Sequence, residues 1–144
     1  MHTLIACAGA IGVLMAIEPG AADSMPRLIP GEYEVEVRIS LPNVRDAAAP
    51  LLLSRCIGPA DLESGQAFFV LSDNPLKNCD LLDYKAESSE AVYRIRCPGP
   101  NRGSAVAVFK IKDVAYHGVI NMNMGGKNMT MTETQAGKRI GDCP

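Results

Sequence analysis

Residues 32–40 read EYEVEVRIS and follow directly on the turn pair Pro30-Gly31. Tyr33, Val35, Val37 and Ile39 alternate with Glu32, Glu34, Glu36 and Arg38. A period of two collects the four apolar side chains on one face of a pleated strand and the charged ones on the other. A helix would scatter the same pattern around its circumference. The stretch therefore predicts a strand with one face on a core and the other in water.

The rest of the chain repeats this theme. Residues 40–50 hold two prolines, an Asn and an alanine run, and read as a loop. LLLSRCIG (51–58) predicts a second strand, and Pro59 stands where it would open a short helix over ADLESG. QAFFVLSDNPLKN (66–78) fits either a helix or a strand stopped by Asp73-Asn74-Pro75. CDLLDYKAESSEAVYRIRC (79–97) reads as a hairpin turning at Ser88-Ser89. After the loop PGPNRGS, AVAVFKIKD puts Ala105, Ala107, Phe109 and Ile111 on one face. VAYHGVINMNM follows a very short link at Lys112-Asp113, with Val114, Tyr116, Ile120, Met122 and Met124 sharing a face. Gly126-Lys127 turns the chain, and NMTMTETQ returns. Strands in close succession with short turns predict a mainly β fold. The expected form is an antiparallel meander of seven or eight strands, bent into a curved sheet or a small barrel, with one short helix.

The first residues bear on location. Leu4 to Ile17 is uncharged and almost wholly apolar, too short to span a bilayer comfortably but suited to the apolar region of a signal peptide. Gly20-Ala21-Ala22 supplies small residues for cleavage, so residues 1–22 are expected to be a signal peptide cut after Ala22, and residues 23–144 a single exported β-domain. Met1-His2-Thr3 lacks the usual cation, which leaves an uncleaved anchor as an alternative. A lipoprotein signal ending at Cys7 is disfavoured, because almost no apolar stretch precedes that cysteine. The chain has 14 basic and 16 acidic residues, and only Glu18 among them precedes the cut. This near-neutral balance gives no basic patch for nucleic acid. The expected location is the periplasm.

Four cysteines follow the cut: Cys56, Cys79, Cys97 and Cys143. An even count in a small exported domain reads as two disulfides. Zinc is disfavoured, since there is no C-x-x-C pair and His117 is the one histidine beyond the signal. Folding 79–97 as a hairpin sets Cys79 and Cys97 nearly opposite, within disulfide reach, and leaves Cys56 to pair with Cys143.

The remaining chemistry lies in NMNMGGKNMTMT (121–132). A turn at Gly126-Lys127 sets Met124 opposite Met129 and Met122 opposite Met131, with all four thioethers on one face. Such a face fills a core, walls a pocket for an apolar ligand, or binds Cu(I), since soft thioethers select that ion. Met122, Met124, Met129, Met131, Tyr116 and Phe109 are therefore the candidate ligand-binding residues. Copper is the alternative, held back by the lack of a histidine on the methionine face. Catalysis is not expected. Ser54 and His117 sit in no nucleophile-elbow motif, the carboxylates Asp80, Asp83, Glu87 and Glu90 read as the solvated side of a hairpin, and no phosphate-cradling glycine loop appears. No cofactor or metal is expected. The partner would be a small apolar ligand or an envelope protein, and an exposed sheet edge, if one remains, leaves the oligomeric state open.

Four short motifs occur in order: PGEYEVEV, CIGPADL, MTMT and the ending GKRIGDC. Together with the four cysteines they resemble the domain-of-unknown-function family 3617 (DUF3617), small exported bacterial proteins, over Pro30 to Cys143. Tyr33 stands where that family usually has Trp. The resemblance implies an envelope setting, a β-rich fold and a structural habit for the last hairpin's methionines. It implies no activity.

Overall fold

The computed structural model describes residues 26–45, 49–100, 102–126 and 129–144; the expected signal peptide and its cut after Ala22 lie outside them. Among the described residues seven strands form one antiparallel sheet: β1 (Gly31–Ser40), β2 (Leu51–Ile57), β3 (Asp80–Glu87), β4 (Glu90–Arg96), β5 (Ser104–Lys112), β6 (Ala115–Asn123) and β7 (Thr130–Gly141). Their spatial order is β2-β1-β7-β6-β5-β4-β3. The meander β3 to β7 is completed by the β1–β2 hairpin, whose first strand pairs with β7 along almost its whole length. Alternation is kept in the strands other than β3, which slips between Leu82 and Lys85. Tyr33, Val35 and Val37 of β1 are buried, as are Tyr93, Ile95, Ala107, Phe109, Tyr116 and Ile120 from their strands, while the side chains between them face water. Ile39, expected on the core face, is only half-buried because it lies near the strand's end. Val114, grouped with the β6 core positions in the sequence, sits in the β5–β6 turn and is exposed.

The sheet does not close into a barrel: β2 and β3 remain its two edges. The chain between them, residues 58–79, crosses the inner face instead. It begins with the short helix α1 (Pro59–Ser64), with Pro59 in its first turn and the Asp61 carboxyl accepting from the Gly58 N–H at 2.8 Å. It continues through 3-10 turns at Gln66–Phe68 and Pro75–Asn78. The segment read from sequence as helix or strand is thus neither an α-helix nor a strand, but two short 3-10 turns joined by irregular chain. Its apolar side chains nevertheless fill the space a barrel would enclose. Phe68 packs at 5.1 Å from Phe109 and edge-on at 5.4 Å from Tyr116, and Leu76 is wholly buried. Fully burying each such side chain stabilises the fold by roughly 1.5–3 kcal/mol.

Both disulfides form with the expected pairing, Cys56–Cys143 and Cys79–Cys97. They bracket the crossing segment: Cys56 lies just before it and Cys79 at its end.

Two glycines make room for the aromatic core. Gly118 pairs with Phe109 and Gly137 with Tyr116 across neighbouring strands. A Cβ at Gly118 would lie 2.1 Å from the Phe109 ring, and one at Gly137 would lie 2.2 Å from the Tyr116 ring. The rings lie on bare backbone, a known way to stabilise a glycine within a sheet. Gly118→Ala is expected to cost about 2–3 kcal/mol through overpacking, because fully buried Phe109 has nowhere to retreat. Urea unfolding of the variant would measure this, and a cost near zero would mean that the ring moves freely.

Candidate functional site

The inner face carries polar groups that sequence patterning did not identify. Glu133 and Gln135 on β7 are both fully buried. Glu133 lies opposite Ile39 on one side and Ile120 on the other, within the apolar face. Its two carboxyl oxygens accept from the backbone N–H groups of Leu71 (2.9 Å) and Ser72 (3.0 Å), from the Ser72 hydroxyl and from the Gln135 amide (2.6 Å). The same Gln135 nitrogen donates to the Phe69 carbonyl at 2.8 Å. Three more side chains complete the attachment: the Tyr93 hydroxyl donates to the Phe68 carbonyl at 2.6 Å, the Arg55 guanidinium to the Gln66 carbonyl at 3.1 Å, and the Tyr84 hydroxyl to the Leu62 carbonyl at 2.7 Å. Irregular buried backbone needs such partners, since it has no ladder of its own.

Burial weakens the acidity of the tyrosines here. Tyr84 is pushed up to about 12 by desolvation. Tyr116 is pushed up to about 12, first by desolvation, with Arg55 opposing and Tyr33 and Glu133 adding to the rise. Tyr93 is raised further, by desolvation and then by Glu133. These hydroxyls stay protonated over the physiological range. Buried polar atoms without a hydrogen-bond partner among the described residues are Arg55 Nη1, Tyr116 Oη and Gln135 Oε1.

The candidate residues divide between two environments. Phe109, Tyr116 and Met122 are buried, with Phe68 of the crossing segment against both aromatic rings. Met124 and Met131 are half-buried, and Met129 is 60% exposed. The register is the expected one: Met122 faces Met131, and the Met124 N–H donates to the Met129 carbonyl at 2.8 Å. Lys127 and Asn128 of the turn lie outside the described residues. Asn121, Asn123, Thr130 and Thr132 occupy the opposite face. There a cleft of about 430 Å³ runs over β5, β6 and β7, lined by Ser104, Val106, Asn121, Asn123 and Thr132 among others.

The methionine hairpin has apolar neighbours. Ser40 pairs with Thr132, which brings the β1–β2 connection to the same end of the sheet. Leu41 and Val44 are exposed there, tied by an isolated bridge. The end of the sheet therefore presents Leu41, Val44 and Met129 to water, with Met124 and Met131 partly covered behind them.

Residues nominated for catalysis do not meet. Ser54 donates to Glu32 at 2.6 Å on β2, while His117 projects from the outer face of β6. Two strands separate them, roughly 14 Å at the usual strand spacing. Asp83 pairs with Arg94 and Glu90 with Lys110 on the solvated side. No group of three or more His, Cys, Asp or Glu placed to hold a metal occurs among the described residues.

The architecture is that of an open antiparallel sheet whose inner face is covered by one of its own connections, with a disulfide at each end of that connection. The family model "Protein of unknown function (DUF3617)" matches residues 28–143, and the chain belongs to this family. No curated protein and no solved structure matches significantly.

Proposed function

We propose that this is a non-enzymatic protein of the periplasm or cell envelope that works by binding an apolar group at the methionine end of its sheet. Export is supported by the apolar stretch at residues 4–17 and by two disulfides, which persist in oxidising compartments. The observation that carries the binding reading is the exposed apolar rim of Leu41, Val44 and Met129 beside half-buried Met124 and Met131. Flexible, polarizable thioethers adapt to varied apolar shapes. Phe68 and Leu76 of the crossing segment lie buried in the interior, Phe68 against Phe109 and Tyr116, which favours the rim over the interior as the binding place.

Protein labelled with ¹³C at the methionine ε-methyl groups tests this by NMR. On titration with N-phenylnaphthylamine as an apolar probe, Met124, Met129 and Met131 should shift saturably and buried Met122 much less. An unmoved trio would overturn the reading. A second reading, Cu(I) binding, is favoured by the two facing methionine pairs of the observed register. The same sample distinguishes it: one equivalent of Cu(I) would shift all four methyl groups together.

A further inference from the structure

Strand β2 is an edge of the sheet, and among the described residues no strand pairs with its outer side. A bare edge offers a row of N–H and C=O groups for another strand to join, and proteins usually guard such rows. The two edges here are treated differently. β3 carries Asp80, Asp83, Lys85 and Glu87, and its register slips between Leu82 and Lys85. Asp83 takes a left-handed conformation at that slip, with φ of 53°, which breaks the line of the edge. β2 pairs with β1 without interruption from Leu51 to Ile57, opens with three leucines and has Arg55 as its one ionisable residue. Leu51 is 50% exposed and Leu52 61%.

We infer that β2 is the edge at which a second copy of this chain adds, antiparallel, about a two-fold axis at Leu52. Self-complementarity selects the occupant. About that axis Leu52 meets Leu52 of the second copy, and Leu51 meets Leu53. All the leucines of both strands are thereby gathered on one seam, and the inner faces of the two sheets run on into each other. Arg55 falls beyond the leucines with its guanidinium already turned to the Gln66 carbonyl, so no like charges meet. Moving the axis to Leu53 would set Arg55 against Leu51. About the Leu52 axis the paired run is Leu51 to Leu53, and Pro50, which has no N–H, ends it opposite Ser54; moving the axis to Leu51 would bring Pro50 opposite Leu52, directly beside the axis. A shift of register by a single residue would join the inner face of one sheet to the outer face of the other. The contact is isologous and therefore closes at two copies. It needs nothing from the methionine rim.

Sedimentation velocity on the oxidised protein, expressed as the full chain and recovered from the cell envelope, tests the pairing. A dimer is expected at micromolar concentrations. Leu52→Lys puts two ammonium groups on the axis and should weaken the dimer by at least about tenfold. Because Leu52 is exposed in the single chain, the variant should match the wild type in melting temperature once both are diluted to the monomer, and fall below it where the wild type is dimeric. Leu52→Cys should form a covalent dimer on mild oxidation, since facing positions of an antiparallel pair lie within disulfide reach. A wild-type protein that stays monomeric overturns the inference, whether or not a strand from another protein adds at β2. So does a dimer that Leu52→Lys leaves intact.

Discussion

Replacing Cys56 and Cys143 together by serine is expected to destabilise the domain by about 4–5 kcal/mol, against roughly 3 kcal/mol for the Cys79/Cys97 pair. The difference follows from what each bond constrains in the unfolded chain. Cys56–Cys143 spans 87 residues and Cys79–Cys97 only 18, and the entropy removed from the unfolded ensemble grows with the logarithm of the loop. The longer bond ties edge strand β2 to the chain's last residues, beyond the end of β7. Urea unfolding followed by tyrosine fluorescence, in a chain with four Tyr and no Trp, gives both numbers. Equal costs, or a larger cost for the shorter loop, would mean that native contacts dominate over loop closure.

Glu133→Ala is the second large effect, about 3–5 kcal/mol. Deleting the carboxyl leaves the Leu71 and Ser72 N–H groups and the Ser72 hydroxyl without their acceptor in a place closed to water. Stranded buried donors cost more than a lost exposed bond, because the penalty is their full desolvation. Glu133→Gln keeps the shape and one acceptor oxygen but turns an NH₂ toward donors, so an intermediate loss is expected. Hydrogen exchange separates the local consequence from the global one. In Glu133→Ala the amides of Leu71 and Ser72 should lose far more protection than those of Val35 or Phe109 in the sheet. Uniform loss across the domain would show that the segment and the sheet unfold as one unit.

The strands were legible because alternation is a local signal, and EYEVEVRIS or AVAVFKIKD carries it without help from the rest of the chain. The disulfide pairing was legible because a hairpin turn at Ser88-Ser89 fixes which residues face each other. Residues 66–78 were not legible, since their conformation is set by distant partners: Glu133 and Gln135 hold Phe69 to Ser72 across more than 60 residues of chain. No window over QAFFVLSDNP contains that information. The buried carboxyl did leave a trace. Glu133 and Gln135 share the parity of Met129 and Met131, so a methionine face turned inward carries them inward too. The division of the candidate residues between core and rim was hidden for a similar reason. Whether Phe109 and Tyr116 line an open face or a filled one depends on where residues 58–79 run, and strand periodicity is silent about connections.

The placement of the two disulfides gives the chain a chemical timer. While its thiols remain reduced, the edge strand before the covering segment and the hairpin after it lack their cross-links, the segment stays on the sheet through non-covalent contacts, and its detachment would bare a sheet face lined with aromatic rings. Oxidation cross-links the strands on either side of the segment in separate events, so one-bond species form on the way. These should be separable by alkylation and mass as one-bond forms, and the form lacking Cys56–Cys143 would be the more readily proteolysed.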